Sequence, residues 1–274
     1  MTIAAWLMDT MKQLGAAGVD SPRRDALVLL EDTLQKDRAW VLAHPEYILQ
    51  DSEYSAVQKL IQQRVKRVPL AYIRGKAWFY GRFFVVNSDV LIPRPETETF
   101  VELLKALVTD GYTPDTVIDI GTGSGALAIT AKLELPNTSV IATELSSKAL
   151  AVAKINAQKH QAEIQFASGS LLEPLTAQQL AGSTILTNLP YVPHDLITST
   201  EITQEPPQAL FSGIDGLDHY RLFWNQITEA GATPAIILTE SLEDQHASLT
   251  TLAKAAGYTL DRTDVLIQVF RKTN

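Results

Sequence analysis

Residues 117–125 read VIDIGTGSG, a short apolar segment with one acid, followed at once by three glycines at every second position. Glycine permits a tight turn and lets a ligand lie against bare backbone, where the N–H groups that open the next helix are available. A strand, a glycine turn and a helix in this order are typical of α/β domains that bind a nucleotide-like cofactor. We therefore interpret residues 117–125 as the first strand and the cofactor loop of such a domain.

The loop alone leaves two cofactors open. Gly121, Gly123 and Ala126 satisfy the dinucleotide fingerprint, which favours NAD. Asp119 precedes the loop, where a carboxylate can attract the ammonium group of a methionine moiety, which favours S-adenosylmethionine. Glu144 ends the next predicted strand, where an acid can accept both ribose hydroxyls of either cofactor.

After the loop, predicted strands and helices alternate along the chain. The strands are expected at residues 116–120, 139–144, 163–167, 183–188 and 235–240, with a closing pair at 258–261 and 265–270. This alternation predicts a doubly wound α/β sheet, and the closing pair predicts an antiparallel edge.

The front of the chain has helical periodicity instead. Helices are predicted at residues 2–17, from Ser21-Pro22 onward, near residues 38–44 and at 51–68. Ser21 is the expected N-cap, and the basic end of the last helix (Arg64, Lys66, Arg67) is interpreted as a solvated cap that suits the helix dipole. We therefore expect a helical domain at 1–76, a β-hairpin linker at 77–90 and a catalytic domain at 91–274.

Composition narrows the function further. The chain of 274 residues has no cysteine, and its five histidines lack the spacing of a metal site, so we expect neither disulfides nor a metal. Its net charge of −8 divides into +2 over residues 1–76 and −10 over residues 77–274, which disfavours a large nucleic-acid contact. With no apolar run of roughly 18 residues and no secretory signal, we expect a cytoplasmic protein.

The fourth predicted strand ends in Asn188-Leu189-Pro190-Tyr191, to which we assign the chemistry. The carboxyl ends of strands form the ligand crevice of an open α/β sheet, so the tetrapeptide should lie beside the cofactor. An amide nitrogen is a poor nucleophile because its lone pair is delocalised, and accepting hydrogen bonds from both N–H groups aims that lone pair at a methyl group. The Asn188 side-chain carbonyl and the Leu189 backbone carbonyl are the expected acceptors. Pro190 keeps Leu189 extended, and Tyr191 can lie flat against the planar target.

Other functions share parts of this pattern. An adenine-N6 or cytosine-N4 nucleic-acid methyltransferase would use the same tetrapeptide on a flipped base, but it would need a basic groove. An NAD-dependent oxidoreductase would use the glycine loop and would leave residues 188–191 unexplained. A non-catalytic module that keeps the cofactor fold is disfavoured by the intact acid, glycine and asparagine positions.

The chain resembles the release-factor glutamine methyltransferases (the PrmC/HemK family) over essentially its whole length. The most specific segment is LIPRPETE at residues 91–98, between the helical front and the catalytic half. The other matching segments are PLAYIRG at 69–75, FYG at 79–81, DIGTGSG at 119–125, Glu205-Pro206, Ala209-Leu210 and Asp215-Gly216-Leu217.

The resemblance implies a helical N-terminal domain that helps dock the substrate, and a Rossmann-like seven-stranded S-adenosylmethionine methyltransferase domain. It implies methyl transfer to the N5 amide of the glutamine in the Gly-Gly-Gln motif of class 1 peptide chain release factors, with S-adenosylhomocysteine as product. A glutamine methyltransferase for a ribosomal protein is the related alternative, and the loop at 93–98 favours release factors. We expect a monomer with no membrane and no nucleic-acid substrate.

Carried over by position, the resemblance also assigns the site residues. The cofactor would be bound by Asp119, Gly121, Thr122, Gly123, Ser124, Gly125, Glu144, Leu171 and Asn188. The glutamine amide would be bound by Asn188, Leu189, Pro190 and Tyr191, and the site entrance would be lined by Arg94, Glu96 and Thr97.

Two positions depart from the family pattern. The family usually has proline at position 189, and here Leu189 keeps the backbone carbonyl but loses the fixed φ of proline. The family also tends to place an acid after the third strand, where this chain has Gly169-Ser170-Leu171. Ser170 can still hydrogen-bond near the adenine without a charge, and Leu171 would form an apolar wall.

Overall fold

The computed structural model describes residues 1–196, 199–231 and 233–273. They divide into two compact units. The first comprises residues 1–76 together with the described residues 199–204, and the second comprises the other described residues between Ala77 and residue 273. None of the helices in the described ranges is both long and apolar enough to cross a membrane.

The first unit is helical. Its helices are α1 (Ile3–Ala16), α2 (Pro22–Leu34), α3 (Arg38–Ala43), α4 (Asp51–Val65) and α5 (Leu70–Arg74). The Thr2 side chain caps α1 by accepting from the Ala5 N–H, whereas Ser21 precedes α2 without making the capping bond that we predicted. The apolar faces of these helices enclose a core that includes Trp6, Leu14, Leu27, Leu30, Val57 and Ile61.

The basic end of α4 is not the solvated cap that the sequence predicts. The Arg64 guanidinium is buried and donates to Asp25 at 2.8 Å and to Glu201 at 3.0 Å. Arg67 also binds Glu201, and it donates to the backbone carbonyl of Gly18. Both arginines therefore hold the first unit together instead of facing water.

The hairpin β1 (Lys76–Phe79) and β2 (Arg82–Val85) opens the second unit, although its first residue, Lys76, is counted with the first unit. The sheet strands of the second unit are β3 (Thr116–Ile120), β4 (Ser139–Glu144), β5 (Gln165–Ser168), β6 (Thr184–Thr187), β7 (Ile236–Glu240), β8 (Tyr258–Asp264) and β9 (Ile267–Lys272). The helices are α6 (Glu98–Thr109), α7 (Ala126–Glu134), α8 (Ser147–His160), α9 (Ala177–Leu180), α10 (Asp218–Glu229) and α11 (His246–Ala255).

The seven strands lie in the order β5-β4-β3-β6-β7-β9-β8, and all neighbours are parallel except β9, which runs antiparallel to β7 and to β8. The predicted α/β sheet with an antiparallel edge is thus confirmed. Alternate residues of β3 face opposite sides: Val117 packs with α6 and α7, and Ile118 packs with α10 and α11. Helices cover both faces of the sheet, so a ligand can reach it at the ends of its strands.

Strand boundaries differ from the prediction by at most three residues, and the largest difference is at the end of β8, which reaches Asp264 where residue 261 was predicted. β3 and β4 span the predicted residues, but β6 ends at Thr187, so Asn188 is the first residue beyond the strand. The last strand does not begin at Val265, as predicted. That residue has a φ of 48° and lies in the turn before Ile267.

Candidate active site

A cavity of about 460 Å³ opens at the carboxyl ends of the parallel strands. It is lined by the predicted residues Gly121, Gly123, Glu144, Leu171, Asn188, Leu189 and Pro190. The lining also contains residues without a predicted role, among them Asp89, Leu145, Gln208, His219 and Leu222. A volume in this range suits a cofactor-sized ligand.

A smaller cavity of about 70 Å³ shares part of this lining. The two cavities have Leu91, Gly121, Gly123 and Asn188 in common, so they adjoin at these residues. The smaller one adds the predicted residues Arg94, Thr97, Asp119, Thr122 and Ser124. The structure therefore brings the glycine loop, the tetrapeptide and the entrance loop to one place.

The glycine loop is held by the neighbouring strand. The N–H groups of Gly121 and Thr122 both donate to the Thr143 carbonyl at 3.0 Å. Gly125 serves packing, because a Cβ atom there would lie 3.2 Å from the Cα atom of Ala153 on α8. Its φ of 81° also favours glycine.

Asp119 is buried beneath the loop. Its Oδ2 atom accepts from the Thr122 hydroxyl at 2.6 Å and from the Ala128 N–H at 3.1 Å. Burial raises the pKa of Asp119 to about 6, although the hydrogen bonds from Thr122 and Ala128 oppose this shift. A carboxylate in this condition is stabilised by a cation placed beside it.

Glu144 is fixed at the end of β4 by backbone donors. Its Oε2 atom accepts from the Gly123 N–H at 2.9 Å, and its Oε1 atom accepts from the Ser146 N–H at 2.8 Å. Each carboxylate oxygen can accept a further hydrogen bond. Glu144 is therefore held in place with acceptor capacity left for a diol.

Asn156 on α8 is a residue that the sequence analysis missed. Its Nδ2 atom donates to the Ser124 carbonyl at 2.8 Å and to the Val85 carbonyl at 2.9 Å, while its Oδ1 atom accepts from the Val85 N–H at 2.7 Å. A single buried amide thus joins strand β2 to the cofactor loop. No local motif marks it, since asparagine within a helix is usually a surface residue.

The tetrapeptide presents two oxygen acceptors. The Asn188 Nδ2 atom donates to the Thr97 hydroxyl at 3.0 Å, and that hydroxyl donates to the Glu240 Oε2 atom at 2.8 Å. Within the described ranges, no residue donates to the Asn188 Oδ1 atom or to the Leu189 carbonyl. Asn188 and Leu189 both line the larger cavity.

Tyr191 differs from the other three residues of the tetrapeptide. The cavity lining runs from Asn188 to Pro190, while the Tyr191 hydroxyl donates to the Glu240 Oε1 atom at 2.9 Å. Burial, together with the charge of Glu240, raises the pKa of Tyr191. Its backbone carbonyl accepts from the Gln245 Nε2 atom at 2.8 Å, and the same nitrogen donates to the Asp215 carbonyl at 2.8 Å.

Leu189 occupies the position where the family usually has proline. Its side chain would lie 3.4 Å from a Cβ atom at Gly121, so it packs against the glycine loop. Burial raises the pKa of Tyr220 well above its usual range, Glu240 adds to the shift, and a backbone hydrogen bond from Leu189 opposes it. Proline has no N–H group and could not make that bond.

The entrance loop is tied to the segment after the tetrapeptide. Arg94 forms an ion pair with Glu205, whose Oε2 atom accepts from the Ile92 N–H at 3.0 Å. Thr97 is buried, whereas Glu96 is exposed. Of the three predicted entrance residues, Arg94 and Thr97 line the smaller cavity, and Glu96 is absent from the lining of both cavities.

The fold has counterparts among solved structures. The 16S rRNA methyltransferase RsmC of T. thermophilus, in complex with AdoMet and guanosine, matches 73% of this chain and 50% of its own at a TM-score of 0.50 and 17% identity. The sheet order and the glycine-loop cavity place the chain in the class of S-adenosylmethionine-dependent methyltransferases.

Family comparisons make the assignment specific. Residues 5–75 match the PrmC N-terminal domain, and residues 97–212 match the methyltransferase small domain. A release factor glutamine methyltransferase of Coxiella burnetii is 36% identical over 87% of this chain and 85% of its own length. One of Bacillus subtilis is 40% identical over 73% of this chain and 72% of its own length. The chain belongs to the release factor glutamine methyltransferase family.

Proposed function

We propose that this chain transfers the methyl group of S-adenosylmethionine to the N5 amide nitrogen of the glutamine in the Gly-Gly-Gln motif of class 1 peptide chain release factors. The observation that carries the proposal is that two adjacent cavity-lining residues have oxygens, Asn188 Oδ1 and the Leu189 carbonyl, to which no described residue donates. Two acceptors side by side suit the two N–H bonds of a primary amide.

The cavity residues fit the cofactor. Asp119, whose raised pKa marks a carboxylate short of positive partners, would receive the ammonium group of the methionine part. Glu144 would accept the ribose hydroxyls, and Leu171, which is 8% exposed, would provide an apolar wall for the adenine. When bound, the cofactor supplies a methyl group activated by a sulfonium.

The residues of the chain orient the nucleophile. Asn188 Oδ1 and the Leu189 carbonyl would each accept one N–H of the substrate amide, which aims the nitrogen lone pair at the methyl group. The nitrogen would gain the methyl group that bound S-adenosylmethionine supplies, with S-adenosylhomocysteine as the leaving product, and would release its surplus N–H proton to water. Because the displacement is in line, positioning and exclusion of water can supply much of the rate.

The same proposal covers the partners. The helical first unit would help dock the release factor, the protein would act as a cytoplasmic monomer, and nucleic acid would not be a substrate. The net charge of −10 over residues 77–274 supports the last point, because a polyanion would be repelled.

Mass spectrometry of a purified release factor incubated with enzyme and S-adenosylmethionine tests the proposal. We expect one added methyl group on the Gly-Gly-Gln peptide, and none on a release factor whose motif glutamine is replaced by alanine. An unmodified motif peptide under conditions that methylate a single-stranded oligonucleotide would overturn the proposal in favour of a nucleic-acid enzyme.

A further inference from the structure

Glu240 is a buried acid to which neither the sequence nor the proposed function gives a role. It ends β7 and is 1% exposed, directly behind the amide-binding tetrapeptide. Its Oε2 atom accepts from Thr97 at 2.8 Å and its Oε1 atom accepts from Tyr191 at 2.9 Å. A carboxylate buried this deeply is costly unless donors satisfy it. Burial raises the pKa of Glu240, and hydrogen bonds from Thr97, Tyr191 and the Asn188 amide oppose that shift.

The Thr97 hydroxyl determines which end of the Asn188 amide faces the cavity. A hydroxyl has one proton to donate, and Thr97 gives that proton to Glu240. Thr97 can therefore only accept from Asn188, so it must meet the NH2 end of the amide, as the 3.0 Å contact shows. The carbonyl end is then left for the cavity.

Glu240 controls this polarity because it can only accept while it is ionised. Glu240 accepts but does not donate, so in the series of hydrogen bonds from Asn188 through Thr97 to Glu240 each hydroxyl or amide group donates toward Glu240. Without Glu240, Thr97 could donate to the Asn188 carbonyl instead, and the amide could turn its NH2 end to the cavity. Two NH2 groups facing each other cannot bind a substrate amide.

We propose that Glu240 is a positioning residue, which directs the Asn188 carbonyl to the substrate, mainly through Thr97, and holds the far end of the tetrapeptide through Tyr191. The inference rests on the proposed function, since it concerns the same amide site. Glu240 touches neither substrate nor cofactor in this scheme.

Substitutions at Thr97 test the inference with little change of shape. Thr97→Val is nearly isosteric and removes the hydroxyl, so we expect kcat to fall about 10- to 100-fold, with the Kd for S-adenosylmethionine by calorimetry unchanged. Thr97→Ser keeps the hydroxyl and should retain near-normal kcat. Glu240→Gln should resemble Thr97→Val. The kcat of the double variant Thr97→Val, Glu240→Gln should be little lower than that of either single variant, because both substitutions interrupt the same series of hydrogen bonds.

The Asn188 side-chain amide gives a second readout that needs no release factor. In a 15N-labelled enzyme, its two N–H signals should shift in Thr97→Val and return in Thr97→Ser. If the two variants show these shifts but the wild-type enzyme does not methylate a release factor, the proposed function is wrong and the positioning role stands. A folded Thr97→Val variant with normal kcat would overturn the positioning role, even if Glu240→Gln fails to fold.

Discussion

The Thr122 hydroxyl donates to the Asp119 Oδ2 atom at 2.6 Å, so the acid that precedes the glycine loop also holds that loop in shape. Asp119 is 2% exposed and accepts a second bond from the start of α7 through the Ala128 N–H. Its charge is therefore available to a ligand while its position is fixed by the fold. Protonation removes the charge of Asp119, so a change of pH tests its attraction for a cationic ligand.

S-adenosylmethionine should bind more weakly in acid. Burial raises the pKa of Asp119 to about 6, so the side chain is neutral below that pH and charged above it. A cationic ligand favours the charged form, and its affinity should rise as the pH increases through about 6 and then level off. Calorimetry across this range measures the effect. Asp119→Asn should flatten the profile, and an unchanged slope in that variant would assign the titration to another group.

Asn188→Ala should remove turnover while cofactor binding persists. The variant loses the side-chain acceptor for the substrate amide, and comparable losses of one oriented group cost about 10²- to 10³-fold in kcat. Single-turnover methylation and calorimetry separate the two effects. Near-normal kcat in a folded variant would show that the amide is oriented elsewhere.

Alanine substitutions at two glycines of the loop should have different effects, one on folding and one on cofactor binding. At Gly125 an alanine Cβ would meet Ala153 at 3.2 Å, so Gly125→Ala should lower the free energy of unfolding by about 2 kcal/mol. At Gly123, which lines the cofactor cavity and has a φ of 55°, a Cβ has no neighbour within 4 Å, so the substitution causes backbone strain but no clash. Gly123→Ala should therefore weaken cofactor binding more than it weakens folding. Urea denaturation measures the first effect and calorimetry the second. A larger loss of stability in Gly123→Ala than in Gly125→Ala would contradict these assignments.

Leu189→Pro should keep most of the activity. The proposed contact is the backbone carbonyl, which proline retains, while the lost N–H bond to Tyr220 should cost about 1 kcal/mol of stability. A kcat within about tenfold of the wild type is expected. A much larger loss, at unchanged thermal stability, would mean that the leucine side chain has been recruited to the site.

Arg64→Ala should destabilise the first unit by about 3 kcal/mol, because it leaves the buried Asp25 carboxylate without its main partner. Arg24 pairs with the same carboxylate, but its side chain is 64% exposed, so Arg24→Ala should cost less than about 1 kcal/mol. Hydrogen exchange in α2 and α4 measures the local effect. Equal protection in both variants would contradict the buried role of Arg64.

The sheet and the position of the site could be predicted because their signals are local. Residues 117–125 contain a strand and its glycine turn within nine positions, and β3 appears at the predicted residues. Asn188 follows a strand in the same way. Its environment at the carboxyl ends of the strands follows from the general geometry of parallel sheets.

The supporting residues could not be predicted because their partners are distant in sequence. Thr97 and Glu240 are separated by 143 positions, and only the folded chain brings the start of α6 to the end of β7. Arg64 was misjudged for the same reason, since one of its acids, Glu201, follows 137 positions later. A basic helix end and a lone glutamate look like ordinary surface features until the chain is folded.

Gln245 orders the backbone beside the site before any substrate binds. One amide nitrogen holds the carbonyls of both Tyr191 and Asp215, so the segment after Asn188 is immobilised at two places. The conformational entropy of that segment is lost once, when the protein folds. Each encounter with a release factor then begins from an ordered backbone, and substrate binding energy is left for aligning the glutamine.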